Sequence, residues 1–248
     1  MIPKRPNITF RSSSSFAALP LIFLGLLSAG CASVSPQRIA ERKISAALPR
    51  MLGPAQKYDV HVSGDTFALT RGRAKQVRIA GSQVQLTPSL TMDTLNLNAT
   101  DLSFDTKAHT LQKIGALDFD GSLSQENLTH YLSQVKGKAS GLQVTLRDSS
   151  LEASVPVSPL GIQTTVRLSG NLTPHPGEPN KLDFQADGGH LGIVPLPASL
   201  LNLALDRLNP VLDLSGVRIP LSVTSATVEH GELKVRGTAE MSPISPPK

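Results

Sequence analysis

The chain has 248 residues, of which 40% are apolar, 17% charged and 4% aromatic, with no Trp and one Cys. Scarce rings leave no stacking platform for single-stranded nucleic acid, and a lone Cys excludes an intramolecular disulfide framework and a multi-cysteine zinc site. The net charge of +5 falls to +2 once Lys4, Arg5 and Arg11 are set aside (21 basic against 19 acidic residues), too weak a balance to draw a polyanion.

Those three cations and a serine run precede an apolar stretch of 12 residues, Phe16 to Leu27. A spanning helix needs roughly 20 apolar residues, so this stretch fits the core of a secretory signal instead. Ser28-Ala29-Gly30 and then Cys31 resemble a bacterial lipobox, although Ser28 stands where the pattern usually has Leu, and Leu27 lies one step earlier. The expectation is a signal over residues 1–30, cleavage before Cys31, and acylation of its thiol and new amine. Acyl chains at about 0.8 kcal/mol per buried methylene make a stable membrane anchor. Ala32 in place of Asp favours the periplasmic face of the outer membrane, if the cell has two membranes. The tether 31–35 spans at most roughly 18 Å and would hold the domain against the membrane.

Ser35-Pro36 reads as a helix start. Ile39, Ile44, Ala47 and Leu48 recur at helical spacing, and Pro49 with Gly53-Pro54 marks the stop, giving a helix over about 36–48. Its Arg38, Arg42 and Lys43, with Arg50 beyond, either face solvent or meet anionic headgroups. From Lys57 the period becomes two: Tyr58, Val60 and Val62 form a strand, and two further strands flank Ala80-Gly81-Ser82, read as a tight turn. Leu95, Leu97 and Ala99 share one parity while Leu102 and Phe104 take the other, which predicts a bulge near Thr100-Asp101. Leu117, Phe119 and Leu123 form another strand. A helix then starts at Ser124, carries Leu128, Tyr131, Leu132 and Val135 at i, i+3, i+4 and i+7, and ends at Gly137.

Strands resume at Leu142–Leu146, Leu151–Val157 and Ile162–Leu168; His175–Asn180 reads as a loop, Leu182–Ala186 as a strand, and Gly188-Gly189 as its break. A third helix covers 197–208, where Leu200, Leu201, Leu203, Ala204, Leu205 and Leu208 take up most of the circumference; such a helix is expected to be buried all round. Pro210 ends it. A final hairpin turns at His230-Gly231, and the tail 241–248 is expected to be disordered. Val62-Ser-Gly64, Leu168-Ser-Gly170 and Val235-Arg-Gly237 hint at a repeated hairpin unit. About ten strands and three helices without βαβ alternation predict an α+β class with a mainly antiparallel sheet, in one domain over 36–240.

Chemistry-bearing motifs are sparse. The six His residues (61, 109, 130, 175, 190, 230) show no ligand spacing, and neither Asp59-Val-His61 nor His230-Gly-Glu232 finds a local third ligand. His190, beside Gly188-Gly189, is the most suggestive of them. Asp118 and Asp120 share a strand face, which reads as a wet face rather than an acid/base pair. There is no GxSxG elbow and no phosphate-binding glycine loop. No catalytic residue, metal or cofactor is expected. The distinctive material is aliphatic: a sheet bent around the 197–208 helix can leave a groove that suits acyl chains. A 16-carbon chain would gain a gross ~12 kcal/mol on burial, less several for ordering and association.

Pro195-Leu-Pro-Ala-Ser-Leu-Leu-Asn-Leu-Ala-Leu-Asp-Arg-Leu-Asn-Pro210, then Ile219-Pro220-Leu-Ser-Val and Val228-Glu-His-Gly-Glu-Leu-Lys-Val-Arg-Gly237, resemble the LmeA family of bacterial phospholipid-binding proteins. Tyr58–Gly64 and the helix with Asn127-Leu128 and Tyr131-Leu132 look like it too, so the resemblance covers about 38–240. It implies an envelope location, phospholipid as partner, a part in envelope lipid metabolism, and a long curved sheet wrapped on helices, similar to tubular lipid-binding folds. The residues expected to line the lipid site are Leu128, Tyr131, Leu132, Val135, Leu200, Leu201, Ala204, Leu205 and Leu208. Two other readings stand beside it: an envelope scaffold or adaptor with a dry core, and a hydrolase assembled from distant residues. No nucleic-acid partner is expected, and the sequence names no protein partner.

Overall fold

A computed structural model describes residues 35–105, 110–137, 141–158 and 161–239. The signal read over 1–30, Cys31, the tail 241–248 and His109 lie outside the described residues.

Helix α1, Pro36–Met51, starts as the sequence implies: Ser35 Oγ accepts from the Arg38 N–H at 3.4 Å. It does not stop at residue 48. Pro49 sits inside the last turn, and the Leu52 N–H still reaches Leu48 O at 2.8 Å. The proline deletes only its own N–H bond, which the end of a helix tolerates. Gly53, at φ 125, then turns the chain against Gln85, whose backbone carbonyl occupies the space a Cβ would need.

Seven antiparallel strands make the first sheet: β1 (Lys57–Ser63), β2 (Arg73–Gln85), β3 (Thr91–Asp105), β4 (Thr110–Lys113), β5 (Ala116–Ser124), β12 (Leu221–Glu229) and β13 (Glu232–Ala239). Their order is β1-β2-β3-β5-β13-β12, with β4 also paired to β3. The turn expected at Ala80-Gly81-Ser82 is absent, because β2 runs straight through it. Gly81 lies opposite Tyr58, and a Cβ there would stand 2.5 Å from Val84 Cγ2 and 3.1 Å from the Tyr58 ring. That glycine serves close packing, not chain reversal.

The parity slip in β3 is real, but its cause differs from the expectation. Asp101 adopts φ 52, a left-handed conformation that Asp tolerates. The β2–β3 register stays constant across it, with Ala74 opposite Leu102 and Gln76 opposite Thr100. Strand β2 slips parity at the same level, its buried residues stepping from Ala74 to Val77. No extra residue is inserted between these two strands; the register shift falls on the β3–β4 pair, between Ser103 and Phe104.

The short helix α2 (Thr66–Thr70) was not expected. Asp65 Oδ1 caps it, accepting from Phe67 N at 2.9 Å and Ala68 N at 3.2 Å. Helix α3 (Gln125–Val135) is capped by Ser124 as foreseen, and Gly137 follows it at φ 85.

The second sheet holds β6 (Gln143–Arg147), β7 (Ser150–Val157), β8 (Thr164–His175), β9 (Glu178–Leu191), β10 (Val194–Pro195) and β11 (Leu212–Asp213), in the order β10-β9-β8-β7-β6 with β11 on β9. Gly188-Gly189 do not break the sheet. Strand β9 continues through them, and Asp187 is the residue taken up where the register shifts from Ser169–Gly188 to Gly170–Ala186. The loop expected at 175–180 contracts to a Pro176-Gly177 turn, with His175 opposite Glu178. The repeated hairpin unit is also absent. Gly64 does end a strand, but Gly170 and Gly237 lie inside β8 and β13, where a Cβ would meet Gln185 O and Ser222 O of a partner with shifted register.

Helix α4 (Ala198–Leu208) packs on β7 and β9. The expectation that it is buried all round fails. Ala204 and Leu208 are buried; Leu200, Leu201 and Leu205 are half-buried, and Leu203 is exposed. Strands flank one side only, and Leu203, on the other, is left exposed. The class is α+β with open, mainly antiparallel sheets, as the sequence implies. Strand β12 joins the two sheets: it packs against β8 and β9, and Val228 O accepts from Ser149 N at 3.1 Å. The buried side chains of both sheets, α1, α3 and α4 form one continuous core.

Candidate functional site

The nine residues expected to line a lipid site fall into three environments. Leu128, Tyr131 and Leu132 of α3, with Ala204 and Leu208 of α4, are built into the continuous core. Leu201 and Leu205, one turn apart, form a half-buried stripe along α4 that packs against that core, and Leu200 is half-buried on a neighbouring row. Val135 is 51% exposed at the end of α3.

The carboxyl ends of the two helices meet through polar groups. Lys136, just past α3, donates to Asn209 O at 2.9 Å, and burial lowers its pKa against the opposing pull of Asp183. Asn209 ends α4 and clamps β9, accepting from Phe184 N at 2.8 Å and donating to Phe184 O at 3.2 Å. Tyr131 Oη accepts from Asp213 N at 3.0 Å; burial raises its pKa, opposed by that hydrogen bond and helped by the Asp213 charge. These contacts fix where α3 and α4 end.

A concavity of about 700 Å³ lies on the first sheet instead. Its floor follows the pairing register. One rung runs His61, Arg78, Asn98, Asp118, Thr238, and the next runs Asp59, Ala80, Asn96, Asp120, Arg236. Arg236 Nε is paired with Asp120 Oδ2 at 3.0 Å, whereas Arg78 and Asp118 have no ion-pair partner among the described residues. The floor offers carboxylates, amides and guanidinium groups, beside apolar lining from Ile79, Ala80, Leu97 and Phe119. A smaller concavity of about 300 Å³ is lined by Asn180, Leu214, Val217 and Leu221 among others. Neither includes any of the nine expected residues.

Asp118 and Asp120 do share the open face of β5. His190 lies exposed in β9 opposite Arg167, and no group of three or more possible metal ligands exists among the described residues. His61 approaches Glu41 at 3.6 Å, and His175 Nδ1 lies 2.6 Å from Asp183 Oδ2. Tyr58, which donates to Gly53 O at 2.7 Å, has its pKa pushed up to about 12 by burial.

The sequence reading missed the apolar end of the second sheet. The β9–β10 turn carries Ile193 at 97% and Val194 at 57% exposure, and the β7–β8 connection carries Ile162 at 70%. Pairing of Val157 with Thr164 and of Arg167 with His190 places both connections at the same end. A signal was available: residues 153–166 and 188–205 contain no Asp, Glu, Lys or Arg.

A model of the LmeA-like phospholipid-binding family matches residues 37–238. No curated protein and no solved structure matches the chain.

Proposed function

Because the chain belongs to the LmeA-like phospholipid-binding family, we propose that it holds phospholipid by its acyl chains along the leucine stripe of α4, and presents or transfers that lipid within a bacterial envelope. The family match over most of the chain carries this reading. The half-buried Leu200, Leu201 and Leu205 support the choice of site, because they leave aliphatic surface accessible at the edge of the core. Acylation of Cys31 would anchor the protein to the membrane, on the periplasmic face of the outer one where two membranes exist; the signal-like segment before it supports this. The protein acts by binding rather than by catalysis, a reading supported by the lack of a nucleophile elbow in the sequence.

The test is lipid extraction from the purified full chain, followed by mass spectrometry and uptake of a fluorescent phospholipid. The expected result is co-purifying phospholipid, with uptake reduced in Leu201→Asn while the fold persists. A second reading, a scaffold with a dry core, is favoured by the full burial of Leu128, Ala204 and Leu208. It predicts that the folded chain retains no lipid on purification and takes up no fluorescent phospholipid.

A further inference from the structure

We infer that the end of the second sheet bearing Ile162, Ile193 and Val194 is a docking surface for a phospholipid bilayer, with Ile193 entering the hydrocarbon and Arg167 and Arg207 meeting phosphates at its rim. The inference rests on the reading that this chain handles phospholipid and adds the place where it meets the membrane.

Three observations select a bilayer as the occupant. The first is charge: both chain segments that build this end are free of acidic and basic residues, over 14 residues (153–166) and 18 residues (188–205), with His190 the one titratable side chain. A run that long without charge has no ionised side chain to desolvate on entering an apolar phase. The second is shape. The exposed residues project from a two-residue turn, Gly192-Ile193, and from a separate connection, rather than lying on one flat face. Such tips bury little area against a folded partner, and they lack the aromatic anchors on which protein interfaces depend. A fluid bilayer closes around them whatever their shape.

The third is the position of the flanking cations. The Arg207 guanidinium donates to Pro156 O at 2.7 Å, one residue from the end of β7, and Arg167 is exposed three residues inside the start of β8. At ~3.3 Å per strand residue, Arg167 stands about 10 Å behind the tip, within the 5–10 Å over which apolar groups sink into the headgroup boundary. Of the acids on these elements, Asp206 adjoins Arg207, Asp187 further along β9 is engaged by Asn171 at 2.9 Å, and Glu152 lies toward the opposite end of β7. The same end leads into α4, so a lipid leaving the bilayer here would pass directly onto the leucine stripe.

The absence of Trp makes the test clean, since one introduced indole reports alone. The full chain carrying Ile193→Trp is mixed with vesicles of equal parts phosphatidylglycerol and phosphatidylcholine, beside a chain carrying Pro176→Trp at the opposite end of the sheet. Docking predicts a blue shift and quenching by bromo-acyl lipid for Ile193→Trp and neither for Pro176→Trp. A double Ile162→Asp, Ile193→Asp variant should take up phospholipid from vesicles more slowly, on the order of tenfold, yet normally from detergent micelles. No shift at Ile193→Trp, or equal shifts at both positions, overturns the inference. So does a blue shift that grows with protein concentration without vesicles, which would mean that a second copy covers this end. Uptake from micelles keeps the two ideas apart: uptake without insertion removes the docking surface and leaves phospholipid binding standing, and insertion without uptake does the reverse.

Discussion

The two ends of the second sheet are built from the same strands and closed by similar turns, yet they differ in chemistry. At one end stand the Arg147–Glu152 and His175–Asp183 pairs, at 2.7 and 2.6 Å, and the Lys181–Glu178 pair. At the other stand Ile162, Ile193 and Val194, with no ion pair among the described residues. Each end uses a left-handed glycine, Gly177 at φ 82 or Gly192 at φ 66, so backbone closure asks the same of both. The fold therefore does not require the apolar end to be apolar. Charged tips would close the hairpin equally well and would cost less in water. The difference points to something outside the chain that covers one end and not the other.

The largest expected effect concerns the core from which both ends extend. Leu208→Ala should lower stability to urea by about 2–5 kcal/mol, because it opens a cavity under α4. Leu203→Ala, on the exposed side, should change it by less than about 0.5 kcal/mol. Equal losses would mean that α4 has no free face. Next, Gly177→Ala and Gly192→Ala should each cost about 1–2 kcal/mol, from backbone strain alone, since nothing lies within 4 Å of either missing Cβ. Thermal melts that separate the two widely would break the claim that the turns are equivalent.

Away from both ends, Asp93 offers a pH test. Burial pushes its pKa up, but hydrogen bonds from the Ser124 backbone at 2.6 Å, from Gln83 at 2.9 Å, and from the Asn127 and Ser124 side chains outweigh it, and the pKa is lowered. A folded pKa below the unfolded one means that the unfolded chain binds the proton more readily. The contribution is complete above the ordinary aspartate range and is lost as pH falls through the folded pKa. Asp93→Asn should cost about 1–2 kcal/mol at neutral pH and flatten the acid limb of the stability profile. The smallest effects mark the contrast itself. Asp183→Asn should cost no more than about 1 kcal/mol, and less in high salt, while Ile193→Asp should leave stability within about 0.5 kcal/mol and alter only membrane behaviour.

Alternation and capping made much of this fold legible. Ser35 and Ser124 announced two helices, and His230-Gly231, at φ 53 and 76, announced the last hairpin. Glycines misled, because sequence does not tell a glycine that turns the chain from one over which a side chain lies. Gly81 beneath Tyr58 and Gly189 beneath Leu168 are of the second kind. Leucine content misled in a similar way: six apolar positions on α4 looked like all-round burial, but burial depends on how many elements surround the helix, and here strands flank it on one side. The polar concavity of the first sheet could not be read in advance, since its two rungs draw on strands from Asp59 to Thr238 that come together only through the β5–β13 pairing. The apolar end was readable in principle, as two charge-free runs, but their shared location emerges only from the β7–β8–β9 register.

Photocrosslinking with a phospholipid that carries a diazirine near the end of one acyl chain tests the central claim most directly. Peptide mapping should place the adducts on α4, at Leu200, Leu201 and Leu205, with none on the polar floor around Arg78 and Asp118. Adducts confined to that floor, or none at all on a folded chain, would contradict the account.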